Sequence, residues 1–100
     1  MRSFLSITVF LSVAVFGTAA VGDSLILDAA LAGDAIVTVG ERGLIQRSTD
    51  GGETWTRVES GVAHTLCAIT FLNQRNGWAA GHGAIILRTE DGGQAWQHQF

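Results

Sequence analysis

The sequence predicts an all-β chain: two four-stranded β-propeller blades behind an N-terminal signal peptide. Three observations predict it. Eight letters recur almost unchanged, STDGGETW at 48–55 and TEDGGQAW at 89–96. Short runs rich in Ile, Val, Leu, Thr and Trp alternate with glycine or Asp-Gly, the pattern of strands and tight turns. The first twenty residues, MRSFLSITVFLSVAVFGTAA, run from one positive charge through an apolar stretch to small residues, the order of an export signal.

The leader is assigned to residues 1–22. Cleavage after Ala20 or after Gly22 fits the small-residue rule. The rival is an uncleaved anchor, but the apolar run from Phe4 to Phe16 is short against the roughly 20 residues that a spanning helix needs. No cysteine follows that run to accept a lipid. Removal of Arg2 takes the formal charge from −3 to −4. Cys67 is the only cysteine in the chain, so an internal disulfide and a multi-cysteine zinc site are both excluded.

Residues 23–60 form the first expected blade and residues 61–100 the second, with its last strand incomplete. Strands are expected at 25–31, 35–39, 44–48 and 55–58, then at 65–72, 77–80, 84–89 and 95–100. The stretch LDAALAG at 27–33 is long enough for one or two helical turns, which makes the first strand the weakest of the eight. No other part of the chain after the leader keeps a helical period. Leu66-Cys67-Ala68-Ile69 reads as a strand, and there Cys67 is expected to be a small buried hydrophobe.

The repeat is longer than its eight-letter core. Laying GERGLIQRSTDGGETW (40–55) over GHGAIILRTEDGGQAW (81–96) matches Gly40/Gly81, Ile45/Ile86, Arg47/Arg88, Asp50/Asp91, Gly51/Gly92, Gly52/Gly93 and Trp55/Trp96. Seven identities in sixteen positions compare with about one expected from ordinary residue frequencies. The same offset of 41 pairs Leu25 with Leu66 and Leu31 with Leu72. A period of about 40 residues with recurring glycine and tryptophan points to propeller blades.

Each eight-letter copy is read as the turn between a blade's third and fourth strands. Asp50 and Asp91 are placed to accept backbone N–H bonds within the turn, and Ser48 and Thr89 to bond locally. Gly52 and Gly93 take the positive φ that a Cβ would strain. Trp55 and Trp96 clamp the turn onto the sheet.

These residues resemble the Asp-box, or BNR repeat, S/T-x-D-x-G-x-x-W. Ser48, Asp50, Gly52, Thr54 and Trp55 match it fully. Thr89, Asp91, Gly93 and Trp96 match it with Ala95 where the family usually has Thr. The longer strings AIVTVGERGLIQRSTDGGETW and NGWAAGHGAIILRTEDGGQAW resemble the photosystem II stability/assembly factor family in particular, over residues 25–100. That resemblance implies a seven-bladed propeller, exported to a periplasm or thylakoid lumen, that binds a protein partner such as a photosystem II or other membrane-complex subunit. Two blades do not close a propeller, so the chain reads as part of a longer one; an assembly of two-blade chains is the alternative.

No enzyme, metal or cofactor is expected. The turn already accounts for Asp50 and Asp91, and His64, His82 and His98 have no ligand-like spacing. The six basic residues are all arginine and do not cluster, which argues against nucleic acid. Membrane contact is expected only through the leader. The alternative function is a fragment of an exported Asp-box glycoside hydrolase; sialidase chemistry needs a tyrosine, and this chain has none. Arg47 and Arg88 share one repeat position, and two roles stand open for them. Either they pair with nearby carboxylates, or they build an arginine patch that grips an acidic partner.

Overall fold

The computed structural model describes residues 24–99; the leader assigned to 1–22 lies outside these residues. Two four-stranded antiparallel sheets follow one another along the chain. The first contains β1 (Ile26–Ala32), β2 (Ala35–Gly40), β3 (Ile45–Ser48) and β4 (Thr56–Arg57), in that order. The second contains β5 (Leu66–Phe71), β6 (Gly77–Gly81), β7 (Ile85–Thr89) and β8 (Gln97–His98), again in order. Each is a meander in which every strand pairs with its neighbour in sequence, the arrangement of a propeller blade.

LDAALAG is strand rather than helix: β1 pairs with β2 from Ile26↔Gly40 to Ala32↔Ala35. A register shift between Ile26 and Asp28 has its twin between Leu66 and Ala68 in β5. These irregularities explain why glycine repeats at 40 and 81. A Cβ on Gly40 would run into the Leu25 carbonyl oxygen, and one on Gly81 into that of Thr65, so the first strand passes where only glycine leaves room. The same carbonyls accept from Glu41 N at 3.0 Å and His82 N at 2.9 Å.

Those pairings correct the repeat alignment of the first strands. Gly40 and Gly81 keep the offset of 41, but their partners Ile26 and Leu66 are 40 apart. Ile26, not Leu25, is therefore the counterpart of Leu66. The first hairpin turns through Gly33 and Asp34, whereas the second closes with Leu72 N donating to Asn76 O at 2.8 Å across Asn73, Gln74 and Arg75. One extra loop residue restores the offset of 41 from β2 and β6 onward. Cys67 is also corrected: it is exposed, because the β5 irregularity puts it outside the alternation that buries Leu66 and Ile69.

The fourth strands are shorter than expected, two residues each. Their ladders are limited to Gln46↔Arg57 and Arg47↔Thr56 in one sheet and Leu87↔His98 and Arg88↔Gln97 in the other.

The core lies between the sheets. Val37, Val39 and Ile45 from the first meet Leu66, Ile69 and Leu87 from the second, none more than 7% exposed. Each such side chain contributes about 1.5–3 kcal/mol on burial. Phe71 and Trp96 meet edge to face at the margin, centroids 6.2 Å apart. Asp28 Oδ2 accepts from Ile69 N at 3.0 Å, which ties the two first strands together.

Candidate functional site

The two Asp-box turns are closed hydrogen-bond systems. In the first, Ser48 Oγ donates to Asp50 Oδ1 at 2.8 Å and accepts from Gly52 N at 2.9 Å. Asp50 accepts from the Thr54 amide at 2.9 Å and from the Thr54 hydroxyl. Trp55 Nε1 donates to Gly52 O at 2.9 Å. The second repeats this through Thr89 Oγ1, which donates to Asp91 Oδ1 at 2.9 Å and accepts from Gly93 N at 3.0 Å. Asp91 Oδ1 also takes the amides of Gln94 and Ala95 at 3.1 and 3.0 Å, and Trp96 Nε1 donates to Gly93 O at 3.0 Å. Ala95 has no hydroxyl to give Asp91 the bond that Thr54 gives Asp50.

The carboxyls titrate accordingly. Asp50 is lowered from 3.8 to about 2, first by the Thr54 hydroxyl, then by the Thr54 amide and the Ser48 hydroxyl. Asp91 is lowered as well. Desolvation opposes that shift, and the Ala95 amide, Thr89 hydroxyl and Gln94 amide outweigh it. Carboxylates engaged on this many donors are held as turn-closing anions. Among the described residues no group of three or more His, Cys, Asp or Glu is disposed to hold a metal, and no helix is long and apolar enough to cross a membrane.

Arg47 and Arg88 share a repeat position and differ in contacts. Arg47 Nε donates to Gly92 O of the second turn at 2.9 Å, so it spans the seam between the sheets. Arg88 stays on its own sheet, paired with Glu90 at 2.6 Å and lying 5.7 Å from the Trp78 ring centroid. The two are not brought into one patch.

The seam instead carries two adjoining open clefts that share Arg47 and Gln94. One, of about 380 Å³, adds Thr49, Thr54, Arg57 and Glu59. The other, of about 390 Å³, adds Gln74, Arg75, Asp91 and Gly92. Three guanidinium groups, Arg47, Arg57 and Arg75, thus border one surface that also offers hydroxyls, amides and the carboxylates of Glu59 and Asp91. Arg57 and Arg75 were invisible to the repeat comparison, since His98 stands opposite Arg57 at an offset of 41 and Asp34 opposite Arg75.

Comparison with known proteins bears on this arrangement. Residues 20–99 match the profile of the family described as "Photosynthesis system II assembly factor YCF48". The chain is 33% identical over 60 residues to the photosystem II assembly lipoprotein Ycf48 of Synechococcus sp. (strain CC9902), which covers 58% of this chain and 18% of that protein. It is 38% identical over 66 residues to the protein YkuO of Bacillus subtilis (strain 168), covering 65% of this chain and 22% of that one. A solved structure of YCF48 bound to a D1 peptide superposes with a TM-score of 0.66 at 29% identity, over 75% of this chain and 25% of that one. The chain therefore spans about a fifth of the length of the curated relatives it matches.

Proposed function

The chain belongs to the family of the photosystem II assembly factor YCF48, and on that premise we propose that it is an exported, non-enzymatic propeller scaffold that binds a protein partner. The observation that carries the reading is the Arg47–Arg57–Arg75 surface along the seam. Three guanidinium groups outnumber the two carboxylates, Glu59 and Asp91, around this open cleft, which suits carboxylate-bearing peptide better than an apolar ligand. The related YCF48 was solved with a D1 peptide, which supports a peptide of a photosystem II subunit as the partner class. Arg88 belongs to the proposal as a second contact, engaged once it leaves Glu90. Asp50 and Asp91 act in it as turn-closing groups. The apolar leader supports export to a periplasm or thylakoid lumen. The family match favours the scaffold over the glycoside-hydrolase alternative.

The test is titration of a D1 peptide against the purified chain by calorimetry. Arg57→Ala and Arg75→Ala should each weaken binding about tenfold, as expected for loss of one charged hydrogen bond, with unchanged thermal unfolding. Arg88→Ala should weaken it less. Binding that neither seam variant changes, or that is insensitive to salt, would refute the assignment.

A further inference from the structure

The second Asp-box turn is gripped from two sides at Gly92. Gly92 O accepts from Arg47 Nε of the first sheet at 2.9 Å, and Gly92 N donates to Arg75 O of the β5–β6 loop at 2.9 Å. Arg75 also reaches Glu90 O through its own Nε at 3.4 Å. One short stretch of backbone, 90–92, thus carries two guanidinium groups, one from each sheet. The loop that presents Arg75 is fixed in turn, because Asn73 Oδ1 accepts the amides of Arg75 and Asn76 at 2.9 and 2.8 Å. Gly51 and Gly92 hold the same place in their turns, and both have a φ of 76°. A Cβ on Gly92 would stand 3.0 Å from Gln74 O and 3.5 Å from Arg47 Nη2, whereas one on Gly51 meets nothing within 4 Å. Gly51 needs glycine for its φ alone; Gly92 needs it also for the close approach of both arginine-bearing segments.

Arg47 and Arg75 both border the cleft of about 390 Å³, and what they leave toward it is donors. The carbonyls of Arg75, Glu90 and Gly92, which would repel an anion, already accept hydrogen bonds. Asp91, the acid of this cleft, turns Oδ1 into its own turn, where it takes three bonds. Nε is the engaged atom of both arginines, so their Nη groups remain for a ligand. Arg57 differs. It is exposed on the two-residue β4, and among the described residues its side chain makes no hydrogen bond, so it must be ordered when a ligand arrives. Arg47 and Arg75 are ordered beforehand, which favours binding.

Resting on the assignment of this surface as a peptide site, we propose that the Gly92 backbone is the spacer of that site: it holds Arg47 and Arg75 so that one carboxylate of the partner bridges their Nη groups. Gly92 is a positioning residue and touches no ligand. Arg47 and Arg75 are the contacts, and each donates to the shared carboxylate. Arg57 meets a separate acceptor. Every group comes from the two sheets that form the joint. The first Asp-box turn lacks both grips on its Gly51 and spaces no such pair, so identical turn chemistry gives a binding element in one copy and a corner in the other.

Calorimetry on the purified chain tests this, with a D1 peptide and a series in which each carboxylate is replaced in turn by its amide. One amide should bind about tenfold more weakly than the parent. On the parent, Arg47→Lys and Arg75→Ala should each weaken binding by a similar factor. On that one amide neither should have any further effect, because both act through the missing carboxylate, whereas Arg57→Ala should still weaken it. Gly92→Ala should weaken the parent about tenfold by pressing on Gln74 O. Gly51→Ala, which meets the same φ and no neighbour, should leave affinity unchanged. A series in which no carboxylate couples to both Arg47 and Arg75 overturns the shared subsite and leaves the seam standing as a peptide site. Equal affinity of the two alanine variants overturns the spacer role. A chain that binds no D1 peptide in any form overturns the subsite and the peptide site together.

Discussion

Replacing Thr89 by valine removes one hydroxyl from the second Asp-box turn and little else. Thr89 is 1% exposed, and valine keeps its branched shape. The lost oxygen accepts from the Gly93 amide at 3.0 Å and donates to Asp91 Oδ1 at 2.9 Å. Asp91 keeps its bonds from Gln94 and Ala95 and faces water, so its loss is small. Gly93 is buried against Val37, so its amide finds no substitute partner. Leaving a buried donor unpaired costs about 1–3 kcal/mol. A domain of this size has roughly 4–11 kcal/mol in total, so the cost is a large fraction of its stability. With a urea dependence of about 1 kcal/mol per molar for a small domain, the unfolding midpoint should fall by about 2 M. Tryptophan fluorescence is the assay, since Trp96 donates to the Gly93 carbonyl of the same turn. Thr89→Ser is the control: it keeps the hydroxyl, loses one methyl and should cost about 0.8 kcal/mol. A valine variant as stable as the serine variant would refute the view that the hydroxyl, rather than packing, holds the turn.

Two further outcomes follow from the same bonds. Asp50 titrates near 2 in the folded chain against 3.8 ordinarily, so the unfolded chain takes up its proton first as the pH falls. The stability this carboxylate supplies is complete above about pH 4 and is lost as the pH drops toward 2. Asp91 acts in the same direction, and Asp50→Asn should flatten the acid limb of a pH-dependent melting series. Gln46→Leu copies Leu87 at the equivalent position. It removes a buried Oε1 that has no partner among the described residues and should stabilise by about 1 kcal/mol in a urea titration.

Most of the fold is legible because the turn chemistry is local. Ser48, Asp50, Gly52, Thr54 and Trp55 bond almost entirely to one another, within four residues along the chain, so their spacing alone specifies the geometry. The strands between such turns then fall into place at about the expected positions. The first strands are less legible. Their register depends on the extra residue in the second hairpin, which a gapless alignment at 41 cannot register. Cys67 was misread for a related reason: alternation assigns a face to every residue, and an irregularity takes one out of the alternation.

The seam was not legible, and the reason lies in how repeats divide the work. A repeat encodes what is needed inside a blade and leaves contacts between blades to whatever neighbour arrives. Arg47 and Arg88 are the same residue at the same position on the same strand of their sheets, yet one bridges to a turn and the other folds back on Glu90. Part of the difference is local, because Glu90, the partner of Arg88, stands where the first copy has Thr49. The rest comes from the second sheet, which lies against the first and places the Gly92 carbonyl within reach of Arg47. Arg57 and Arg75 join Arg47 for the same reason, from a fourth strand and a loop that share no repeat position. Identity between copies therefore locates the turns that hold each sheet together. Departures from identity, read against the sheet that comes next, locate the surface where the two sheets meet each other.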